Sequence, residues 1–111
     1  MSVAKDKNST LKAEEIPFSA FLLEYTAYLS VERGMSAHTV AAYKRNLTQY
    51  LLFMHDDCAL QSLQEITKDD VLAYIAHLRT EGYAATSVDQ KIASVKGFHK
   101  FLLSENLCSV H

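Results

Sequence analysis

Residues 36–54 read SAHTVAAYKRNLTQYLLFM, a pattern that predicts an amphipathic helix. Ser36 is a typical N-cap residue, and Met35 and Val40 have the spacing of a hydrophobic staple. Apolar residues then return every three or four positions, as they do on the buried side of a helix. They are Val40, Tyr43, Leu47, Tyr50 or Leu51, and Met54. This helix therefore needs other elements to cover one of its sides.

Three more amphipathic helices are predicted around this stretch, over about 17–33, 68–81 and 86–104. Gly34 and Gly82 are placed to end the first and the third of them. Thr67 and Asp70 have the spacing of a capping box at the start of the third, and residues 56–66 are predicted to form a loop. The positions predicted to be buried are Phe18, Phe21, Leu22, Tyr25, Leu29, Val71, Tyr74 or Ile75, Leu78, Val88, Ile92, Val95, His99, and Leu102 or Leu103.

The composition favours one small all-α domain. The chain has 111 residues but only three glycines and one proline, which disfavours folds rich in hairpin turns. Residues 1–15 are polar and without periodicity, and we expect a flexible tail there. The two cysteines lack metal-site spacing and no apolar run is long enough to span a membrane, so a reduced, cytoplasmic protein is expected.

Charge is divided unevenly among the predicted helices. The formal net charge of the chain is −2, yet residues 34–55 and 82–104 each carry +2. Residues 14–33 carry −3 and residues 56–81 carry −4. Helices two and four are therefore basic, and together they would form a positive surface that the net charge conceals.

The outward sides of helices two and four have the composition of a surface that approaches DNA closely. Small side chains let a backbone come near a groove, while arginine or lysine reaches a phosphate or a guanine edge. The predicted outward residues of helix two are His38, Ala41, Ala42, Arg45 and Gln49, with Ser36 and Thr39 at its N-terminus. Those of helix four are Thr86, Gln90, Ser94 and Gly97, flanked by Lys91 and Lys96.

The order and spacing of these residues resemble the N-terminal core-binding domain of the tyrosine recombinases, which include Xer-type recombinases and phage-type and transposon integrases. The likeness covers about residues 17–106. It depends most on Ser36, Thr39, Tyr43 and Leu47 at the start of helix two and on the pair Thr86-Ser87 that opens helix four. The resemblance implies a four-helix, SAM-like bundle over residues 16–107.

In that family the domain is one arm of a clamp around duplex DNA, with helices two and four crossing the major groove. The contact positions that the resemblance implies here are Ser36, Thr39, Ala41, Ala42, Arg45, Thr48, Thr86, Ser87, Gln90, Lys91 and Ser94, to which the charge pattern adds Lys96. The resemblance also implies that a separate catalytic domain, expected to be absent from these residues, cuts and rejoins strands. The expected partners are double-stranded DNA and other recombinase subunits.

The sequence gives little support for a metal site, a phosphate-binding loop or a catalytic site. The five histidines have no metal-ligand spacing, and His99 is predicted to be a hydrogen-bonded core residue. No phosphate-binding loop is present, and we expect no catalytic residue, metal, cofactor, membrane contact or small-molecule substrate. A helical protein–protein interaction module remains the alternative, with Leu52, Phe53 and Phe101 as its expected apolar patch.

Overall fold

A computed structural model describes residues 18–60 and 63–105 of the chain. Within them the elements are α1 (Ser19–Val31), α2 (Ala37–Asp56), a 3₁₀ turn (Leu63–Glu65), α3 (Lys68–Thr80) and α4 (Ala85–Ser104). No strand occurs in these residues. The predicted all-α, four-helix SAM-like bundle is confirmed. The predicted tail over 1–15 and the predicted start at Pro17 lie outside the described residues.

Local sequence signals set most helix ends. The Ser36 hydroxyl accepts the Thr39 N–H, and Thr67 and Asp70 form a reciprocal capping box. Gly34 and Gly82 have φ angles of 63° and 86°, in the left-handed region that glycine adopts without steric cost. The predicted loop over 56–66 needs correction, because α2 includes Asp56 and a 3₁₀ turn forms at Leu63–Glu65.

The core lies where all four helices meet. Helix α2 packs on α1, α3 and α4, and α3 also packs on α4. The buried apolar side chains are Leu22, Tyr25, Leu29, Leu47, Tyr50, Leu51, Met54, Leu63, Ile66, Tyr74, Leu78, Val88, Val95, Phe98 and Leu102. Most of the predicted core positions are among them, whereas Phe98 was not predicted.

His99 is a core residue, as predicted. Its side chain is 4% exposed, and its Nε2 atom lies 2.6 Å from the Tyr50 hydroxyl. This hydrogen bond joins α4 to α2 inside the bundle and satisfies a polar ring atom that burial would otherwise leave unpaired. His99 therefore has a structural role in the α2–α4 contact.

The expectation that Gly97 faces outward is wrong. Tyr25 of α1 lies against this glycine, and a Cβ atom at position 97 would be only 2.6 Å from the Tyr25 hydroxyl oxygen. The tyrosine is 3% exposed, so its ring has little room to move. Gly97 therefore creates the space that lets α1 pack against α4.

We expect Gly97→Ala to lower the free energy of unfolding by about 1–2 kcal/mol, because overpacking outweighs the helix propensity that alanine gains. The same change in a Tyr25→Phe background should be neutral or stabilising, since the nearest remaining ring atom, Cζ, is 3.8 Å from the added methyl. Urea unfolding of the four proteins in this double-mutant cycle measures the difference. Equal losses in both backgrounds would contradict the proposed contact.

Candidate nucleic-acid interface

One side of α2 is exposed and rich in small and cationic residues. Ala41, Lys44 and Arg45 are exposed there, while Ala42 and Thr48 at the edges are half-buried. The opposite side of α2 supplies core residues, so the hydrophobic pattern itself turns the cations outward. Helix α2 thus exposes Lys44 and Arg45 on the same side as its small side chains.

The N-terminus of α2 has its own hydrogen bonds. The Ser36 Oγ atom accepts the Thr39 N–H at 3.2 Å and donates to the Thr39 Oγ1 atom at 3.0 Å. The Ser36 hydroxyl therefore caps the helix, and its own proton is directed to the Thr39 hydroxyl oxygen. By contrast, α4 begins after Ala84, which offers no side-chain cap, so the N–H groups of its first turn have no capping oxygen.

The exposed residues of α4 form a stripe along the helix. Thr86, Gln90, Ala93, Lys96 and Lys100 recur every three or four positions and are all exposed. That spacing places them on the same side of the helix. The α4 surface therefore combines polar residues and one acid, Asp89, near its N-terminus with two lysines near its C-terminus.

Ser94 does not belong to this stripe, and its predicted outward position is wrong. Its side chain is only 3% exposed. The Ser94 Oγ atom accepts a hydrogen bond from Asn46 Nδ2 at 3.2 Å and donates to the Gln90 carbonyl oxygen at 3.1 Å. Helix α2 covers this part of α4, so Ser94 is a contact between the two helices and is not available to a ligand in this structure.

Lys91 also lies between the two helices. Its Nζ atom donates to Gln49 Oε1 at 2.9 Å and to Asn46 Oδ1 at 3.2 Å, both on α2. The same atom lies 4.8 Å from the ring centroid of Tyr83, which precedes α4. Partial burial, together with the nearby Arg45 charge, lowers the pKa of Lys91 below its ordinary value of 10.5.

The cations of α2 and α4 lack acidic partners. Lys44, Arg45, Lys91, Lys96 and Lys100 form no ion pair with any residue of the described ranges. Few carboxylates are available to pair with them, because α2 carries no acid before Asp56 and α4 carries only Asp89, which is exposed and forms no ion pair with them. The exposed surface of these two adjacent helices, which we call the α2–α4 face, therefore carries a net positive charge.

The sequence of the domain matches that of a known protein family. A family model of the phage integrase N-terminal SAM-like domain matches residues 22–106, most of the chain. The chain belongs to this phage integrase SAM-like domain family. The matched range includes all four helices except the first residues of α1.

Several curated tyrosine recombinases are similar to this SAM-like domain. The XerD protein of Halalkalibacterium halodurans is 37% identical over 86 residues, which are 78% of this chain and 29% of the relative. XerC of Roseiflexus castenholzii is 37% identical over 83 residues, 75% of this chain and 26% of the relative. XerD of Chlorobaculum tepidum is 33% identical over 97 residues, 87% of this chain and 31% of the relative.

The SAM-like domain accounts for only part of these relatives. The chain spans between about a quarter and a third of their length, and the family model that it matches describes an N-terminal domain. Residues 22–106 thus correspond to the N-terminal SAM-like domain of the family. No solved structure matches the chain.

Within the SAM-like domain, the structure divides the predicted contact residues into three groups. Six of them are exposed: Ser36, Ala41, Arg45, Thr86, Gln90 and Lys96. Five are half-buried: Thr39, Ala42, Thr48, Ser87 and Lys91. Ser94 is buried. Lys44 and Lys100 are exposed on the same two helices but were not predicted as contacts. The four-residue spacing of Lys96 and Lys100 would have identified the second of them.

Two of the three residues expected to form the apolar patch of a protein-interaction module pack against the core. Leu52, Phe53 and Phe101 are all half-buried. The Phe53 ring lies 5.3 Å from the Tyr74 ring, and the Phe101 ring lies 5.2 Å from the Tyr25 ring. Both phenylalanines therefore complete the core. The large apolar side chains exposed in the described residues are Leu23, Val31, Leu72 and Tyr83.

The described residues contain neither a metal-binding cluster nor a membrane-spanning helix. No group of three or more histidine, cysteine, aspartate or glutamate side chains is arranged to hold a metal ion in residues 18–60 and 63–105. In the same ranges, no helix has the length and apolar character needed to cross a membrane.

Proposed function

We propose that this SAM-like domain binds duplex DNA through the α2–α4 face. The observation that carries the proposal is the unpaired positive charge of two helices that pack directly on each other. An exposed lysine or arginine without an acidic partner can neutralise a DNA phosphate without first breaking an ion pair. Phosphate contacts of this kind position a protein on the duplex but do not read its sequence.

The side chains between the cations support close approach to a groove. Ala41 on α2 and Ala93 on α4 are exposed and short, so they would let both helix backbones come near the DNA. Gln90 is exposed beside Ala93 and has the paired donor and acceptor that recognise an adenine edge in the major groove. The uncapped N–H groups at the start of α4 add further donors suited to phosphate.

The biological context of the proposal comes from the family. Relatives that share the domain are named tyrosine recombinases, and the matched domain is N-terminal. We propose that the domain holds DNA near a recombination site while a separate catalytic domain cuts and rejoins the strands. Double-stranded DNA and other recombinase subunits are then its partners.

A titration with a duplex of about 20 base pairs at about 50 mM and about 200 mM salt tests this function. With about four phosphate contacts, the affinity should fall ~100-fold between the two conditions. Backbone amide NMR shifts should be concentrated in residues 36–49 and 84–100. The absence of shifts at about millimolar duplex, or shifts confined to the surface around exposed Leu23 and Val31 of α1, would instead favour a protein-interaction module.

A further inference from the structure

Lys91 is the centre of a polar network that joins three parts of the domain. Asn46 and Gln49 come from α2, Tyr83 comes from the turn between α3 and α4, and Lys91 comes from α4. Gln49 uses its Oε1 atom to accept from Lys91 and its Nε2 atom to donate to the Tyr83 hydroxyl at 3.0 Å. The network therefore fixes the turn before α4 against α2.

Lys91 differs in its contacts from the other cations of the α2–α4 face. Two of the three ammonium donors of Lys91 bond to amide oxygens, and the Tyr83 ring packs beside its charge. Lys96 and Lys100 are exposed, and the described residues offer them no hydrogen-bond or ion-pair partner. A phosphate contact by Lys91 would require these existing bonds to break, whereas a contact by Lys96 would not.

We propose that Lys91 is a positioning residue, which holds α2, α4 and the turn between α3 and α4 in the arrangement that binds DNA, and that it is not itself a phosphate contact. This inference rests on the proposed DNA binding and replaces the role that the sequence predicted for Lys91. The network places Arg45, one turn before Gln49 on α2, at a fixed position relative to the N-terminus of α4. The lowered pKa of Lys91 agrees with a partly desolvated ammonium beside the Arg45 charge.

The matched variants Lys91→Met and Lys96→Met test the proposal, since each removes one positive charge from α4 and keeps an unbranched side chain. Duplex affinity is measured over a salt series, at a temperature where circular dichroism shows both variants fully folded. For Lys96→Met, the slope of log affinity against log salt should become shallower by about 0.9, the value of one phosphate contact. For Lys91→Met, we expect an unchanged slope and an affinity about threefold to tenfold lower at every salt concentration.

Tyr83→Phe is a milder variant of the same network. It removes only the hydroxyl that accepts from Gln49 and keeps the ring beside Lys91. Because position 83 is exposed, folding should be preserved. We expect an unchanged salt slope and about a twofold to threefold loss of affinity.

The possible results separate the two proposals. If the slope of Lys91→Met falls as much as that of Lys96→Met, Lys91 is a phosphate contact and the positioning role is wrong. Unchanged affinity in both folded Lys91→Met and Tyr83→Phe would also overturn it, because a purely structural contact would affect only stability. If the unaltered chain does not bind duplex DNA at all, the proposed function fails and the positioning role fails with it.

Discussion

Arg45→Glu is expected to weaken duplex binding by about 100-fold while leaving the melting temperature unchanged. The substitution removes a charge-assisted hydrogen bond worth about 2 kcal/mol and places a carboxylate near phosphate, which costs about 1 kcal/mol more. Arg45 is exposed and forms no ion pair with a described residue, so its replacement should change stability by less than about 0.5 kcal/mol. Fluorescence anisotropy with a labelled duplex, together with circular dichroism melting, measures both quantities.

Lys68→Glu is the matched control, because it changes the net charge of the chain by the same amount. Lys68 is exposed at the start of α3, outside the two helices of the α2–α4 face. Its reversal should reduce DNA affinity only about twofold to threefold, through the general potential of the protein. Equal losses in the two variants would mean that binding follows net charge alone. Full binding by a folded Arg45→Glu variant would remove α2 from the interface.

Phe98→Ala is expected to lower the free energy of unfolding by about 3–5 kcal/mol, a large part of the stability of a small domain. The Phe98 side chain is completely buried, and its ring lies 5.5 Å from Tyr25 of α1 and 6.0 Å from His99. Truncation would leave a cavity where α1 and α4 meet, and the surrounding helices would not fully close it. Equilibrium unfolding in guanidinium chloride gives the difference.

Phe101→Ala provides the comparison, since it makes the same change less than one helical turn further along α4. Phe101 is half-buried against Tyr25 and Tyr28, so part of its area is already in contact with water. We expect its truncation to cost about 1–2 kcal/mol, clearly less than the loss at Phe98. Similar losses at the two positions would contradict the packing described for α4.

The sequence by itself determined the elements of the bundle and many of the groups at their ends. Ser36, the Thr67–Asp70 capping box and the two left-handed glycines act through neighbours only a few residues away, so their roles follow from local spacing. The net charge of each helix also follows from the sequence, because it depends only on which residues the helix contains. Arg45 and Lys96 could therefore be assigned to exposed positions before the helices were assembled.

Only the tertiary structure decided how α4 is divided between core, helix contact and surface. Hydrophobic periodicity indicates one buried side of a helix, yet α4 contacts α1, α2 and α3 and is covered over a wider arc. Gly97 and Phe98 meet Tyr25 of α1, while Lys91 and Ser94 meet Asn46 of α2. These partners are more than 40 residues away in the chain. Local spacing cannot specify such distant neighbours, because their positions are fixed only when the helices pack.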